Sequence, residues 1–373
     1  MKHTAAPLGV GIVGLSADGG WGGRGHLPAL RAVEGYELRA LTASTPDSAR
    51  KAAAAFGLPE SAAGTDAAAL AARDDVDLVV IAVRVPHHRE LILPVLRAGK
   101  TVLSEWPLGN GTAEAEELAA YAAEAGVRTA AGLQARSAPV VRYLRDLVAD
   151  GFVGEVLSTT LVGSGGGWGP VVAERTAYVA DRANGATLLT VPFGHTLDAL
   201  TMVLSGFATL TATTATRRPR VRIAETGAEL PMTAEDQIAV TGRLESGAVA
   251  SLHYRGGSSR GTNLLWEING TEGDLVLTGD SGHLQFGQVE LRGARGDQRD
   301  LRPLPVPGEY LLPDGLDDLA ALEGPAGVVA HAYHQLRADL RDGTSVVPDF
   351  AHAAAHHRLL DRITRAAETG TAQ

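Results

Sequence analysis

Residues able to do chemistry gather at a few places in this 373-residue chain. The first is a glycine-rich stretch from Gly14 to His26 that follows the apolar run Leu8-Gly-Val-Gly-Ile-Val13 and precedes helix-compatible sequence. Glycines permit a tight turn and let backbone N–H groups approach a pyrophosphate, and a helix starting behind them adds a favourable dipole. Gly14, Leu15, Ser16, Gly20, Trp21 and His26 are therefore candidate dinucleotide contacts. The G-x-G-x-x-G spacing is imperfect. Counted from Gly9 the pattern lies inside the apolar run, and counted from Gly14 it has Ser16 where a glycine belongs. An ordinary glycine-rich loop is the competing reading.

The remaining candidates sit where strands should end. An NAD site usually places Asp or Glu after the second strand. Here that position holds Ala43, Ser44 and Thr45, with Arg50 and Lys51 behind. Hydroxyls and a cation suit a 2′-phosphate, which favours NADP over NAD; helix capping by Ser44 or Thr45 competes evenly. Val83, Val85, His87 and His88 follow the run Asp77–Val83, at a strand's carboxyl end, where open α/β sheets bind ligands. Glu105 and Trp106 follow the next strand. The carboxylate could hold a ribose or a substrate, and the indole could stack on a ring or sugar face or merely pack. Gln134 and Arg136 leave the last strand of this half and could touch phosphate or substrate, or only bond within the structure.

Alternating strands and helices predict a doubly wound α/β domain over residues 1–134. Runs with β character then dominate: 155–163, 208–216, 237–254, 263–269, 274–277 and 284–291, separated by turns such as 245–248 and 270–273. They predict a second α+β domain, 135–373, built on a mostly antiparallel open sheet. Helices are expected at 140–150, 188–204, 324–340 and 350–369, the last packing back towards the junction.

Composition narrows the functional classes. A net charge of −10 argues against a nucleic-acid surface, and the one basic cluster, Arg217–Arg222, reads as a solvated loop. No cysteine is present, so thiolate catalysis, disulfides and cysteine zinc sites are excluded. No apolar run reaches a membrane span and no cleavable signal is visible, so the expected address is cytoplasmic. His352, His356 and His357 have helical spacing, but with no carboxylate or thiolate nearby in sequence they read as helix-surface histidines, and no metal is expected.

Val10-Gly-Ile-Val-Gly14, His26-Leu-Pro-Ala-Leu30, Ala82–His88, Ser104-Glu-Trp-Pro107, Gln134-Ala-Arg136, Gly151–Val156 and Gly194-His195 run in one order along most of the chain. Together they resemble the glucose–fructose oxidoreductase / inositol dehydrogenase / rhizopine-catabolism (Gfo/Idh/MocA) family. Gly14-Leu-Ser16, Ser104-Glu-Trp106 and Phe193–Asp198 resemble its yeast galactose-regulon repressor branch. The resemblance implies NAD(P) binding, hydride transfer to or from a sugar-like or polyol substrate, and a homodimer or homotetramer. It also exposes two departures. The family's Glu-Lys-Pro is Glu105-Trp106-Pro107 here, so the lysine that would polarise the reacting group is missing. The Asp four residues before the family's histidine is Val191, with Thr190 one residue earlier. His195 survives, and an imidazole titrating near neutrality can take or give a proton during hydride transfer. His195, Trp106 and Glu105 are thus the catalytic candidates, and Trp168, Tyr178, Thr190 and His195 the substrate candidates. The departures keep open a non-catalytic NAD(P)- and ligand-sensing regulator, or a redox-neutral enzyme with tightly held cofactor.

Overall fold

The computed structural model describes residues 6–311, 322 and 324–373. It divides into two compact units, 1–133 with 312–357, and 134–311 with 358–373. Among the described residues the strands form three sheets.

In the first unit β1 (Leu8–Val13), β2 (Tyr36–Thr42), β3 (Ala63–Gly64), β4 (Leu78–Ile81), β5 (Thr101–Glu105) and β6 (Thr129–Gly132) pair in the order β3-β2-β1-β4-β5-β6. Every pairing is parallel. Parallel strands are buried on both faces, which is why β4 reads Leu-Val-Val-Ile with all four residues buried. The order reverses between β1 and β4, and such a switch point opens a crevice at the strands' carboxyl ends. Helices α1 (Leu27–Ala32), α2 (Pro46–Phe56), α3 (Ala67–Ala71), α4 (His88–Arg97) and α5 (Thr112–Glu124) make the crossovers.

The second unit begins with α6 (Pro139–Ala149) and carries the mixed sheet. Its strands are β7 (Val156–Gly165), β9 (Phe207–Ala215), β12 (Gln237–Leu244), β13 (Val249–Gly256), β14 (Leu264–Gly270), β15 (Gly273–Gly279), β16 (Val289–Arg295) and β17 (Arg302–Pro303). They run β17-β16-β15-β14-β7-β13-β12-β9, antiparallel except for β13 on β7. Alternation along β13 buries Ala250, Leu252 and Tyr254 and exposes Val249, Ser251 and His253, the mark of a sheet covered on one face. Before β9 lies α7 (Gly194–Leu204), preceded by a π-helical stretch over Leu189–Phe193. A small sheet of β8 (Val171–Val172), β10 (Arg220–Ile223) and β11 (Glu229–Pro231) has its own apolar cluster around Val172, Val179, Val221 and Met232.

Four expectations need correction. First, the second domain does not keep everything after 134. Helix α8 (Pro325–Asp342) returns to the first unit, where Val329, Ala330, Tyr333 and Leu336 join the core that holds Val10, Ile12 and Leu41. Helix α9 (Phe350–Thr369) is divided, its residues to His357 grouping with the first unit. Second, residues 284–288 are not strand, because turns at Ser281–Gly287 fold that segment inward and β16 starts at Val289. Third, the basic cluster is not a solvated loop. Arg220–Ile223 is strand β10 with Val221 buried, and Arg218 binds the buried Asp236 carboxylate at 3.3 Å. Fourth, His356 and His357 are not on the surface; both are buried, while His352 is half-buried. Among the described residues no helix is long and apolar enough to cross a membrane, and no group of histidine and carboxylate side chains could hold a metal ion.

Candidate functional site

Gly14 ends β1 with φ +92, a conformation favouring glycine, and a Cβ there would lie 2.6 Å from Val83 and 2.7 Å from the Ala82 carbonyl. The chain therefore turns hard against the end of β4. The N–H groups of Gly14 and Leu15 both donate to the Thr42 carbonyl, tying this turn to the end of β2. Beyond it Ser16 Oγ accepts from the Asp18 N–H, and Gly20 (φ +103) has open space where a Cβ would stand. A π-helical turn, Gly22–His26, then leads directly into α1. This open glycine backbone before a helix start fits a bound pyrophosphate.

Behind the turn lies a buried polar chain that the sequence did not reveal. His26 is fully buried, with Nε2 2.9 Å from Glu105 Oε1 and Nδ1 2.8 Å from the Tyr333 hydroxyl. Burial raises the Tyr333 phenol well above its usual range, so it stays protonated and can donate to Nδ1 while Nε2–H donates to the carboxylate. The indole of Trp21 stands edge-on to the same imidazole at 6.2 Å. Glu105 is thereby oriented by a helix that arrives over two hundred residues later.

The other first-unit candidates separate clearly. Val85 is buried, and the buried His88 places Nε2 3.1 Å from the Val83 carbonyl and Nδ1 3.3 Å from the Leu108 carbonyl, clasping the ends of β4 and β5 together. Burial lowers its basicity. His87 is exposed and paired with Glu90 at 2.8 Å. Trp106 is only 5% exposed, with His356 and His357 ring centroids at 5.0 and 4.6 Å, so its indole presents no broad open face. Thr45 closes a capping box with Ser48 at the start of α2. Arg50 lies on the surface between Asp47 and Glu60, and Ser44 is exposed.

In the second unit His195 occupies the first turn of α7 and is 4% exposed. Thr196 Oγ1 lies 2.9 Å from the Tyr254 hydroxyl and 3.3 Å from the Gly282 carbonyl, to which Tyr254 also donates. These bonds fasten Gly282, the residue before His283, to the helix turn that carries His195. The Tyr254 ring fits there because position 163 is glycine; a Cβ would lie 1.9 Å from the ring. His283 stacks between Trp168 (5.5 Å) and Phe286 (4.8 Å). Burial, helped by His195, pushes its basicity down to about 3, so it is neutral at physiological pH. Trp168 itself donates Nε1–H to the Ala186 carbonyl at 3.0 Å.

Trp168 thus stacks on His283, which also feels the His195 imidazole electrostatically; His283 is hidden in the sequence because its segment resembles a strand. The remaining candidates have other partners. Arg136 faces the buried Asp198 at 3.6 Å, and Gln134 is buried beside it in sequence. Thr190 Oγ1 donates to the Gly185 carbonyl and accepts from the Thr187 N–H, closing a turn. Tyr178 packs on the satellite cluster of the small sheet.

Comparison with known proteins agrees with this architecture. The model for the oxidoreductase family with NAD-binding Rossmann fold (GFO_IDH_MocA) matches residues 8–133, and that for the Gal80p C-terminal domain matches residues 139–279. The galactose/lactose metabolism regulatory protein GAL80 of Saccharomyces cerevisiae is 30% identical over 308 residues, covering 77% of this chain and 70% of that protein. The dehydrogenase aclE of Aspergillus oryzae is 33% identical over 282 residues, covering 73% and 77% respectively. A crystal structure of a super-repressor mutant of Gal80p from Saccharomyces cerevisiae superimposes with a TM-score of 0.87 at 26% identity, covering 99% of this chain and 97% of that one. The chain belongs to the Gfo/Idh/MocA oxidoreductase family, with an NAD-binding Rossmann domain and a Gal80-like C-terminal domain.

Proposed function

We propose that the protein is an NAD(P)-dependent oxidoreductase acting on a hydroxyl or carbonyl group of a sugar-like molecule. The observation that carries this reading is His195, retained and buried at the start of α7 beside a second, neutral imidazole. The bound nicotinamide supplies a hydride acceptor or donor. His195 takes the hydroxyl proton as the carbinol carbon loses its hydride, and returns it in the reverse direction. Glu105, hydrogen-bonded to His26, receives ribose or substrate hydroxyls in this reading. The end of β2 bears no carboxylate, which supports NADP over NAD, with exposed Ser44 and the nearby Arg50 as the phosphate contacts. Self-association into a dimer or tetramer fits the uncovered face of the large sheet, where Thr160, Thr211, Thr241, Val249 and Ser251 are exposed. A cytoplasmic address completes the proposal.

A second reading, a cofactor- and ligand-sensing regulator, is favoured by one feature. Where the family carries a lysine, this chain has an indole covered by two imidazoles. The two readings part in one experiment: calorimetry with NADP(H) and NAD(H), followed by a sugar and polyol screen read by nicotinamide absorbance. The enzyme reading expects turnover that falls at least a hundredfold in His195→Ala with cofactor affinity retained. Cofactor binding with no turnover on any substrate would replace it with the sensor.

A further inference from the structure

We propose that His283 and Gln285 are specificity-determining residues of the second unit, reading hydroxyl groups of an uncharged polyol beside His195. The inference rests on the oxidoreductase reading for its chemistry, and both residues lie within the second unit.

Position comes first. The Gly282 carbonyl accepts from Tyr254 and Thr196, so the segment carrying His283 is fastened to the helix turn carrying His195. The faces of the His283 ring are occupied by Trp168 and Phe286, leaving only its edge nitrogens for polar contacts. Gln285 Nε2 lies 3.5 Å from His283 Nδ1 and is the donor there, which leaves the imidazole proton on Nε2. His283 is then a fixed, uncharged N–H donor.

Gln285 provides the second observation. The residue is 3% exposed, and its Oε1 has no hydrogen-bond partner among the described residues. A buried acceptor without a donor is costly, and in a native protein it calls for an explanation such as a missing ligand group. One fixed donor and one waiting acceptor, both without formal charge, match a hydroxyl pair. A carboxylate or phosphate would meet the amide oxygen unfavourably. Trp168 adds an aromatic neighbour of the kind that lines sugar sites.

The test uses the full chain with Gln285→Met and His283→Phe, which keep side-chain bulk and ring stacking while deleting the polar atoms. Binding of D-glucose, D-xylose, myo-inositol and D-glucuronate is followed by calorimetry with NADP present, and melting temperature is measured in parallel. At least one neutral polyol should bind, D-glucuronate at least tenfold more weakly, and each variant should lose at least tenfold in polyol affinity. Gln285→Met should melt close to the parent, because it removes an unpartnered acceptor together with one long donor contact to His283. Unchanged polyol affinity in both variants overturns the proposal while leaving His195-dependent turnover intact, so the two readings fail separately. Should Gln285→Met fail to fold, having also lost the donor to His283 Nδ1, His283→Phe decides alone, and unchanged polyol affinity there overturns the proposal. Absence of any polyol binding overturns it directly.

Discussion

In the first unit His26 gives one ring nitrogen to Glu105 and the other to Tyr333, and His88 sits with its two nitrogens against the Val83 and Leu108 carbonyls. In the second unit His283 is wedged between rings, with one nitrogen on an amide whose oxygen has no partner among the described residues. The burial is alike, and the bonding is different. A fully satisfied buried network rigidifies its surroundings, here the carboxyl edge of a parallel sheet where a cofactor must find preformed contacts. An unsatisfied one stores an unfavourable energy that a ligand can relieve. The first arrangement suits holding a constant cofactor, the second suits choosing a substrate. His357 blurs the division: its Nε2 also has no partner among the described residues, although its ring packs on Trp106.

The hardest test of this contrast is His26→Ala. The change would take one hydrogen-bond partner each from a buried carboxylate and a buried phenol, a loss of about 3 kcal/mol by the usual cost of breaking a buried charged network. Urea denaturation should show it as a lowered midpoint with little change in slope, and dinucleotide affinity should fall with it as Glu105 loses its orientation. A variant as stable as the parent would show that the chain Glu105–His26–Tyr333 holds nothing together, and the contrast would fail.

Acid probes what the two units share. His283 and His357 are both held near 3 by burial, and His88 is shifted in the same direction. Their basicity is depressed in the folded state, so below the ordinary histidine value the unfolded chain binds protons that the native protein does not. Stability is therefore full above about pH 7 and falls as pH drops through 6.5 towards 3. Between pH 7.5 and 5.5 each such histidine should cost on the order of 1 kcal/mol. Denaturation at the two pH values, repeated with His357→Phe and His283→Phe, should show each replacement removing one histidine's share. If His283→Phe leaves the pH dependence unaltered, its imidazole is not sealed from water as the structure has it.

How far this was legible in the sequence depended on the range of the interactions. Five of the six parallel strands announced themselves through short apolar runs that need no distant partner to be recognised, as at β4, while the two-residue β3 carries no such run. Helix α9 was read to the residue, from Phe350 to Thr369. Helix α8 was found, but not its allegiance: an apolar stripe at Val329, Ala330, Tyr333 and Leu336 looks the same whichever core it joins. That ambiguity also hid Tyr333 as the partner of His26. His356 and His357 read as surface because nothing local tells that Trp106 covers them. His283 and Gln285 were lost for a different reason, since alternating Leu284, Phe286 and neighbouring polar residues imitate a strand while glycines at 282 and 287 bend the segment inward. A Cβ at Gly282 would lie 2.3 Å from Ser164 backbone atoms, so the glycine there marks a close approach that the sequence carried without explaining.

The smallest expected effect concerns the rim of the first unit and whether its polar groups are held as firmly as those beneath. Thr45 Oγ1 accepts the Ser48 N–H at 3.1 Å, and Ser48 Oγ accepts the Thr45 N–H at 3.0 Å, so both hydroxyls serve the start of α2. Thr45→Ala should cost about 1 kcal/mol of stability, the ordinary value of a lost cap. The ratio of NADP to NAD affinity, measured by calorimetry on the same protein, should not move. Ser44→Ala, which touches no cap, should lower that ratio if a 2′-phosphate sits at the end of β2. A ratio that falls tenfold in Thr45→Ala instead would mean that the capping oxygen exchanges its backbone partner for phosphate, and that this rim belongs with the unsatisfied groups of the second unit and not with the locked network of the first.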